Sequence, residues 1–163
     1  MTPKQEHINA LQSIPWFQDL DQEHFENMVA ISEIIEVEAG KAFLNQGDNQ
    51  DYLYIVITGR VGLEIAVPGK GRTRISTIEP TELLGWSSIT PVIRQRTASA
   101  VAVLPSVMIR LKGSELRKLC EDDHSFGYLI MHKIANVAAS RLLLTRLQLL
   151  DMFSYASKEE NNA

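Results

Sequence analysis

The chemistry most legible in this chain lies in two neighbouring runs, Gly85-Trp86-Ser87-Ser88-Ile89-Thr90-Pro91 and Arg94-Gln95-Arg96-Thr97-Ala98. Gly85 can turn the backbone through a conformation that side chains disfavour, and the residues after it suit one short helical turn. The first N–H groups of such a turn have no acceptor within the helix and carry the positive end of the peptide dipoles. A guanidinium returning beside them adds full charge. Gly85, Trp86, Ser87, Ser88 and Arg96 could thus cradle a phosphate or a similar anion. The competing reading is a surface loop in which Gly85 only turns the chain and the arginines are solvated. Arg94 either adds to the charge of the cradle or points into water.

Other chemistries lack their parts. His7, His24, His124 and His132 fall in helical patterns, none at a metal-ligand spacing, and each reads as a surface or helix-boundary residue. No histidine occurs between residues 31 and 111, so a metal-binding β-roll enzyme would lack its His-x-His set. No nucleophile–base pair stands out, and the chain is expected not to be an enzyme and to have no metal. Cys120 is the single cysteine. It can form no internal disulfide and reads as a small buried hydrophobe. Iron–sulfur and haem ligation by roll cysteines or histidines fall on the same count.

The chain has 163 residues, 45% of them hydrophobic and 22% charged, with a net charge of -4. That size suits one domain burying roughly 70% of its unfolded surface. The acidic balance argues against nucleic acid, which asks for a basic face. The N-terminus carries Lys4, Glu6 and His7 without an apolar core, unlike a secretory signal. No apolar run approaches the roughly 18 residues of a membrane span. These features predict a cytoplasmic protein.

Three zones must position the cradle. Ile8, Leu11 and Ile14 repeat at helical spacing until Pro15-Trp16-Phe17 interrupts them, and Asp21 then precedes a second helix with Phe25, Met28 and Val29 on one face. From about residue 31 to about 111 the period becomes two, with Gly40, Gly47-Asp48, Gly59, Gly69-Lys70-Gly71 and Pro105-Ser106 punctuating strands of about four to eight residues. Tyr52 to Ile57 is apolar on both faces, as inside a roll. The expected fold is α+β, mainly β, an antiparallel β-roll or sandwich.

The third zone is helical. Ser114 reads as the cap of a short helix through Leu116 and Leu119, and Asp122-Asp123 open a long helix from about residue 124 to about 152. Ile130, Ile134, Val137 and Leu144 form one apolar stripe, and Ala139, Leu143, Leu147 and Leu150 another. A helix apolar on two sides needs cover on two sides. One can lie on the roll, and an identical helix across a two-fold axis can cover the other, giving a homodimer. Alternatively the helix is sunk within its own domain. The expected boundaries are one domain over residues 1–153 and a disordered polar tail over 154–163.

Helices, a strand zone with a phosphate cradle, and a long helix together resemble the cyclic nucleotide-binding domain of the catabolite-activator and kinase regulatory-subunit superfamily. Pro15-Trp16-Phe17 with Leu20 resembles its entry motif. Gly40, Gln46-Gly47-Asp48, Tyr54-Ile55-Val56 and Gly59-Arg60-Val61 resemble its glycine-punctuated strands, and Gly85 with Arg96-Thr97-Ala98 its phosphate-binding cassette. The resemblance implies a jelly-roll fold, a cyclic AMP- or cyclic GMP-like ligand and no other cofactor. It puts Arg96 on the cyclic phosphate, Thr97 where some members face a guanine, and Arg141 and Thr145 at base-facing positions of the long helix. The alternative for Arg141 and Thr145 is an ordinary exposed helix face.

One position departs from the pattern. The family's Gly-Glu, whose carboxylate accepts from the ribose 2′-hydroxyl, is Gly85-Trp86 here. An indole can only donate. Trp86 therefore either retargets the pocket or plugs it, and Glu82 precedes the turn and is not expected to compensate. The chain ends soon after the long helix, where DNA-binding relatives continue. The expectation is a stand-alone sensor signalling through its C-terminal helix to an unknown downstream protein. The alternative is a ligand-free scaffold module on the same fold.

Overall fold

The computed structural model describes the backbone of residues 3–49, 51–90 and 95–161. The chain divides into two compact units, Met1–Gly127 and Tyr128–Ala163.

The first unit opens with α1 (Pro3–Gln12), α2 (Pro15–Gln18) and α3 (Gln22–Ala30). Pro15 starts α2 because proline suits a first helical position and no interior one. Asp21 caps α3 as expected, its Oδ1 accepting from the His24 N–H at 2.8 Å. Leu11, Ile14, Phe17 and Met28 are buried.

Six strands follow: β1 (Ser32–Val37), β2 (Ala42–Leu44), β3 (Tyr52–Val67), β4 (Gly71–Ile78), β5 (Leu83–Leu84) and β6 (Ser99–Lys112). They form one antiparallel sheet along the path β1-β6-β3-β4, with β2 on β6 and β5 on β3. Among the described residues this path does not close on itself, and the structure gives the antiparallel strand zone that the sequence predicts. Successive residues of β3 point to opposite faces. Tyr54 and Val56 enter a cluster with Leu44, Ile78, Leu84 and Met108, while Leu53 and Ile55 are buried on the other face.

The strands are not all short. β3 has 16 residues and β6 has 14, because Gly59 and Pro105-Ser106 are not stops. They face each other where the β3–β6 register shifts between Val56 and Val61. Gly59 takes φ 92° there, and a Cβ on it would collide with Ser106 Oγ and the Pro105 carbonyl. Ser106 Oγ accepts from the Arg60 N–H at 3.1 Å, so the bulge bends both strands without ending them.

α4 (Gly113–Asp122) is capped by Lys112 and not by Ser114, which lies inside the helix. The Gly113 N–H donates to Asp51 O at 2.8 Å, which satisfies the first orphan donor from the backbone. α5 (His124–Asn161) follows Asp123, whose Oδ1 accepts from Ser125 N at 2.8 Å and Phe126 N at 3.0 Å. α4 and α5 meet closely: a Cβ on Gly127 would lie 2.6 Å from Cys120 O.

The second unit is the remainder of α5. Residues 154–161, read from sequence as a tail, continue the helix, and Ser154 Oγ donates to Leu150 O at 2.9 Å. Leu143, Leu147 and Leu150 are exposed along it. Among the described residues no helix is long and apolar enough to cross a membrane.

Candidate functional site: an anion cradle

β5 is held to β3 by the Tyr54–Leu84 and Ile55–Leu83 pairs, which delivers the chain to Gly85 at a fixed place. Gly85 takes φ 76° and ψ 19°, and Trp86–Ile89 form a 3-10 helix. The Ser88 N–H donates to Gly85 O at 2.9 Å and the Thr90 N–H to Ser87 O at 3.2 Å. The N–H groups of Trp86 and Ser87, at the start of the turn, have no acceptor within it. A Cβ on Gly85 would stand 2.6 Å from Tyr52 O and 3.3 Å from Arg96 Nη1. The guanidinium therefore lies directly against the glycine turn.

Arg96 is fixed from the opposite side. Its N–H donates to Asp48 O and its carbonyl accepts from Gly47 N–H, both at 2.9 Å. An isolated bridge joins Asn49 to Gln95. The Gln46-Gly47-Asp48 turn thus serves as the clamp on the arginine. Arg96 is only 7% exposed, with Cζ 5.8 Å from the centroid of the Tyr54 ring.

No carboxylate among the described residues forms an ion pair with Arg96. The nearby Asp48 carboxylate is engaged in its own turn, accepting from Asn45 N and Nδ2 at 3.2 Å each. Burial presses against the guanidinium's charge and lowers its pKa, with Tyr54, Asp51 and Asp48 opposing that shift. A buried cation without a direct ion pair is costly. An anion seated on the amides of Trp86 and Ser87 would supply that missing charge.

The other site residues are distributed as follows. Trp86 and Ser87 are half-buried, and Thr97 is exposed. Ser88 is 2% exposed. Arg141 and Thr145 lie one turn apart on α5 in the second unit, where Thr145 Oγ1 donates to Arg141 O at 2.9 Å. Arg94 lies outside the described residues. Glu82 Oε2 accepts from Glu79 N at 2.7 Å, so that carboxylate is spent within its own turn. Burial, with the Glu121 charge, pushes the Cys120 thiol up to about 11, which keeps it protonated and inert.

Two features carry no sequence signature. Arg117, on α4, donates from Nη1 to Ser88 O at 2.7 Å, and a bond to a backbone carbonyl leaves no pairing pattern in the sequence. His24, read as a boundary residue, bridges Asp21 Oδ2 (2.9 Å) and Asp123 Oδ2 (3.0 Å) and stacks on Phe126 at 4.7 Å. Its cap position beside Asp21 was the one available clue. A cavity of about 310 Å³ adjoins this cluster, lined also by Glu23, Asn27, Leu119 and Asp122. Among the described residues no group of three or more His, Cys, Asp or Glu could hold a metal ion.

The sheet thus brings a glycine turn, a 3-10 helix and a buried arginine together in one place. Residues 34–123 match the profile of the cyclic nucleotide-binding domain, and the chain belongs to that family. It is 30% identical over 121 residues to the Pycsar effector protein XpPycTIR of Xanthomonas perforans, covering 74% of this chain and 37% of that protein. The chain thus spans little more than a third of this relative. The Catabolite Activator Protein of Thermus thermophilus is 28% identical with a TM-score of 0.68, over 86% of this chain and 63% of that one. A cyclic nucleotide-binding domain from Methylobacillus flagellatus has a TM-score of 0.74 at 22% identity, over 90% and 82%, and supports the fold.

Proposed function

We propose that this domain senses a cyclic nucleotide, or a closely related anionic small molecule, and passes occupancy through its C-terminal helix to a partner. The observation that carries this reading is the buried Arg96 guanidinium, set against Gly85 with no carboxylate pairing it among the described residues. In this reading the ligand phosphate takes the Trp86 and Ser87 amides and the Arg96 guanidinium, with Ser88 completing the turn. Thr97 is the candidate for the base on this unit, by the family pattern. Trp86 offers an indole where that pattern has a ribose-binding carboxylate, so the ribose is held differently from a typical member. Likeness to a protein named an effector supports a role in which binding is relayed to another functional element.

A thermal-shift screen of cyclic mono- and dinucleotides tests the reading. Ligand at a hundred times its Kd stabilises the native state by about 2.7 kcal/mol, or about 5–10 °C for a chain of this size. A flat screen would leave the ligand-free scaffold as the better account. The same reading includes a homodimer through the exposed Leu143, Leu147 and Leu150. Sedimentation equilibrium should give twice the chain mass, and a monomer at roughly tens of micromolar would rule that interface out.

A further inference from the structure

Beyond the cradle itself, the first unit contains a short line of contacts from the 3-10 helix into α4. Arg117 Nη1 donates to Ser88 O at 2.7 Å. Ser88 belongs to the later half of the turn that follows Gly85, against which Arg96 lies, and a cation suits the carbonyl end of a helix. Gly113, at the start of α4, presses on the same residue: a Cβ there would stand 2.9 Å from Ser88 O and 3.0 Å from Ser88 Oγ. Ser88 is 2% exposed and its Oγ has no hydrogen-bond partner among the described residues. Its position is therefore set by what holds its carbonyl and by packing, not by its own hydroxyl. At the far end of α4, Cys120 O meets Gly127 of the first turn of α5.

We propose that Arg117 is the positioning residue that couples the anion cradle to α4. A ligand that draws the Trp86 and Ser87 amides toward itself moves the Ser88 carbonyl at the other end of the same turn. The guanidinium follows that carbonyl and carries the displacement into α4, so the two elements change state together. Without it, the close packing of Gly113 on Ser88 remains, and a glycine has no side chain to transmit a pull. The proposal rests on reading Gly85–Ile89 with Arg96 as the ligand cradle.

Hydrogen exchange on the full chain, comparing wild type with Arg117→Ala and Arg117→Lys, tests it in two arms. In the ligand-free arm, Arg117→Ala speeds exchange of the Ser88 and Thr90 amides and of the first turn of α4 by about tenfold or more, as expected for loss of a charge-assisted bond. Unchanged exchange at Ser88 and Thr90 overturns the proposal. In the second arm the probes are the cyclic mononucleotides of adenine, guanine, cytosine and uracil. In wild type a bound probe slows exchange in both the 3-10 helix and α4. In Arg117→Ala the probe still binds, within roughly tenfold of its wild-type affinity, and the α4 response disappears. Arg117→Lys, which keeps a donor, restores part of it. An α4 response of full size in Arg117→Ala also overturns the proposal. If wild type binds none of the probes, the sensor reading fails, and the ligand-free arm still decides whether Arg117 ties the two elements together.

Discussion

Replacing Gly85 with alanine tests the turn on which the cradle depends. Gly85 sits at φ 76° and ψ 19°, in the left-handed region that costs an L residue about 1–2 kcal/mol. The new Cβ would stand 2.6 Å from Tyr52 O, a separation at which one side must move. Tyr52 opens β3 and pairs with Lys112 of β6, so its carbonyl cannot retreat without disturbing that ladder. Arg96 Nη1, 3.3 Å away, is the softer neighbour and would be displaced first. Overpacking of this kind costs about 1–3 kcal/mol. Together the effects amount to about 2–5 kcal/mol, a large part of the roughly 5–15 kcal/mol that holds a domain folded.

Urea unfolding measures that loss directly, as a lower midpoint at unchanged slope. Gly85→Asn separates the two causes. Asparagine tolerates the left-handed region but brings the same Cβ. It should recover part of the dihedral cost and none of the collision. A loss in Gly85→Ala below about 1 kcal/mol would refute the geometry of the turn and with it the placement of Arg96.

Ser88→Ala removes a buried hydroxyl that has no partner among the described residues, and should leave stability unchanged or raise it by up to about 1 kcal/mol in the same assay. A fall of more than about 1 kcal/mol would mean the hydroxyl is satisfied. His24 gives a pH signature. Burial disfavours its charge, but the Asp123 hydrogen bond and the charges of Asp21 and Asp123 outweigh it and raise the pKa above 6.5. Protonated His24 thus stabilises the fold fully below its unfolded pKa, and the contribution is lost as pH rises through the folded value. Asp123, held below its ordinary 3.8 by the Phe126 N–H and His24, adds stability above that value that is lost as pH falls through the lowered one. His24→Gln should therefore cost more stability at about pH 5.5 than at about pH 9, and equal costs would contradict the bridge. Trp86→Glu restores an acceptor for a ribose hydroxyl, and calorimetry should show cyclic AMP or cyclic GMP binding strengthened by about tenfold or more. No gain would mean that Trp86 is not what limits those ligands.

Much of the backbone geometry around Gly85 was legible because it is local. Gly85, a short turn and a returning arginine lie within 96 − 85 = 11 positions, and both the left-handed glycine and the 3-10 helix are present as read. The Asp21 and Asp123 caps were equally local. What escaped the sequence depends on residues far apart. Gly59 and Pro105-Ser106 look like strand ends individually. Only their pairing across the sheet makes them a shared bulge within two long strands. His24 meets Asp123 across 99 positions, and no periodicity announces such a pair. Ser114 has the right residue type for a cap, yet the Asp51 carbonyl met the first donor of α4 at Gly113. The continuation of α5 past Met152 was hidden by polarity, which reads as a tail although Lys and Glu are good helix formers.

The central claim is that the Arg96 guanidinium supplies the charge for an anionic ligand at the Gly85 turn. Isothermal calorimetry of wild type and Arg96→Ala, using the strongest cyclic nucleotide from the thermal screen, tests it most directly. Losing two charge-assisted hydrogen bonds should weaken binding by about a hundredfold or more, while circular dichroism confirms an intact fold. Equal affinity in the two proteins would contradict the account, because the ligand would then be binding somewhere other than this arginine.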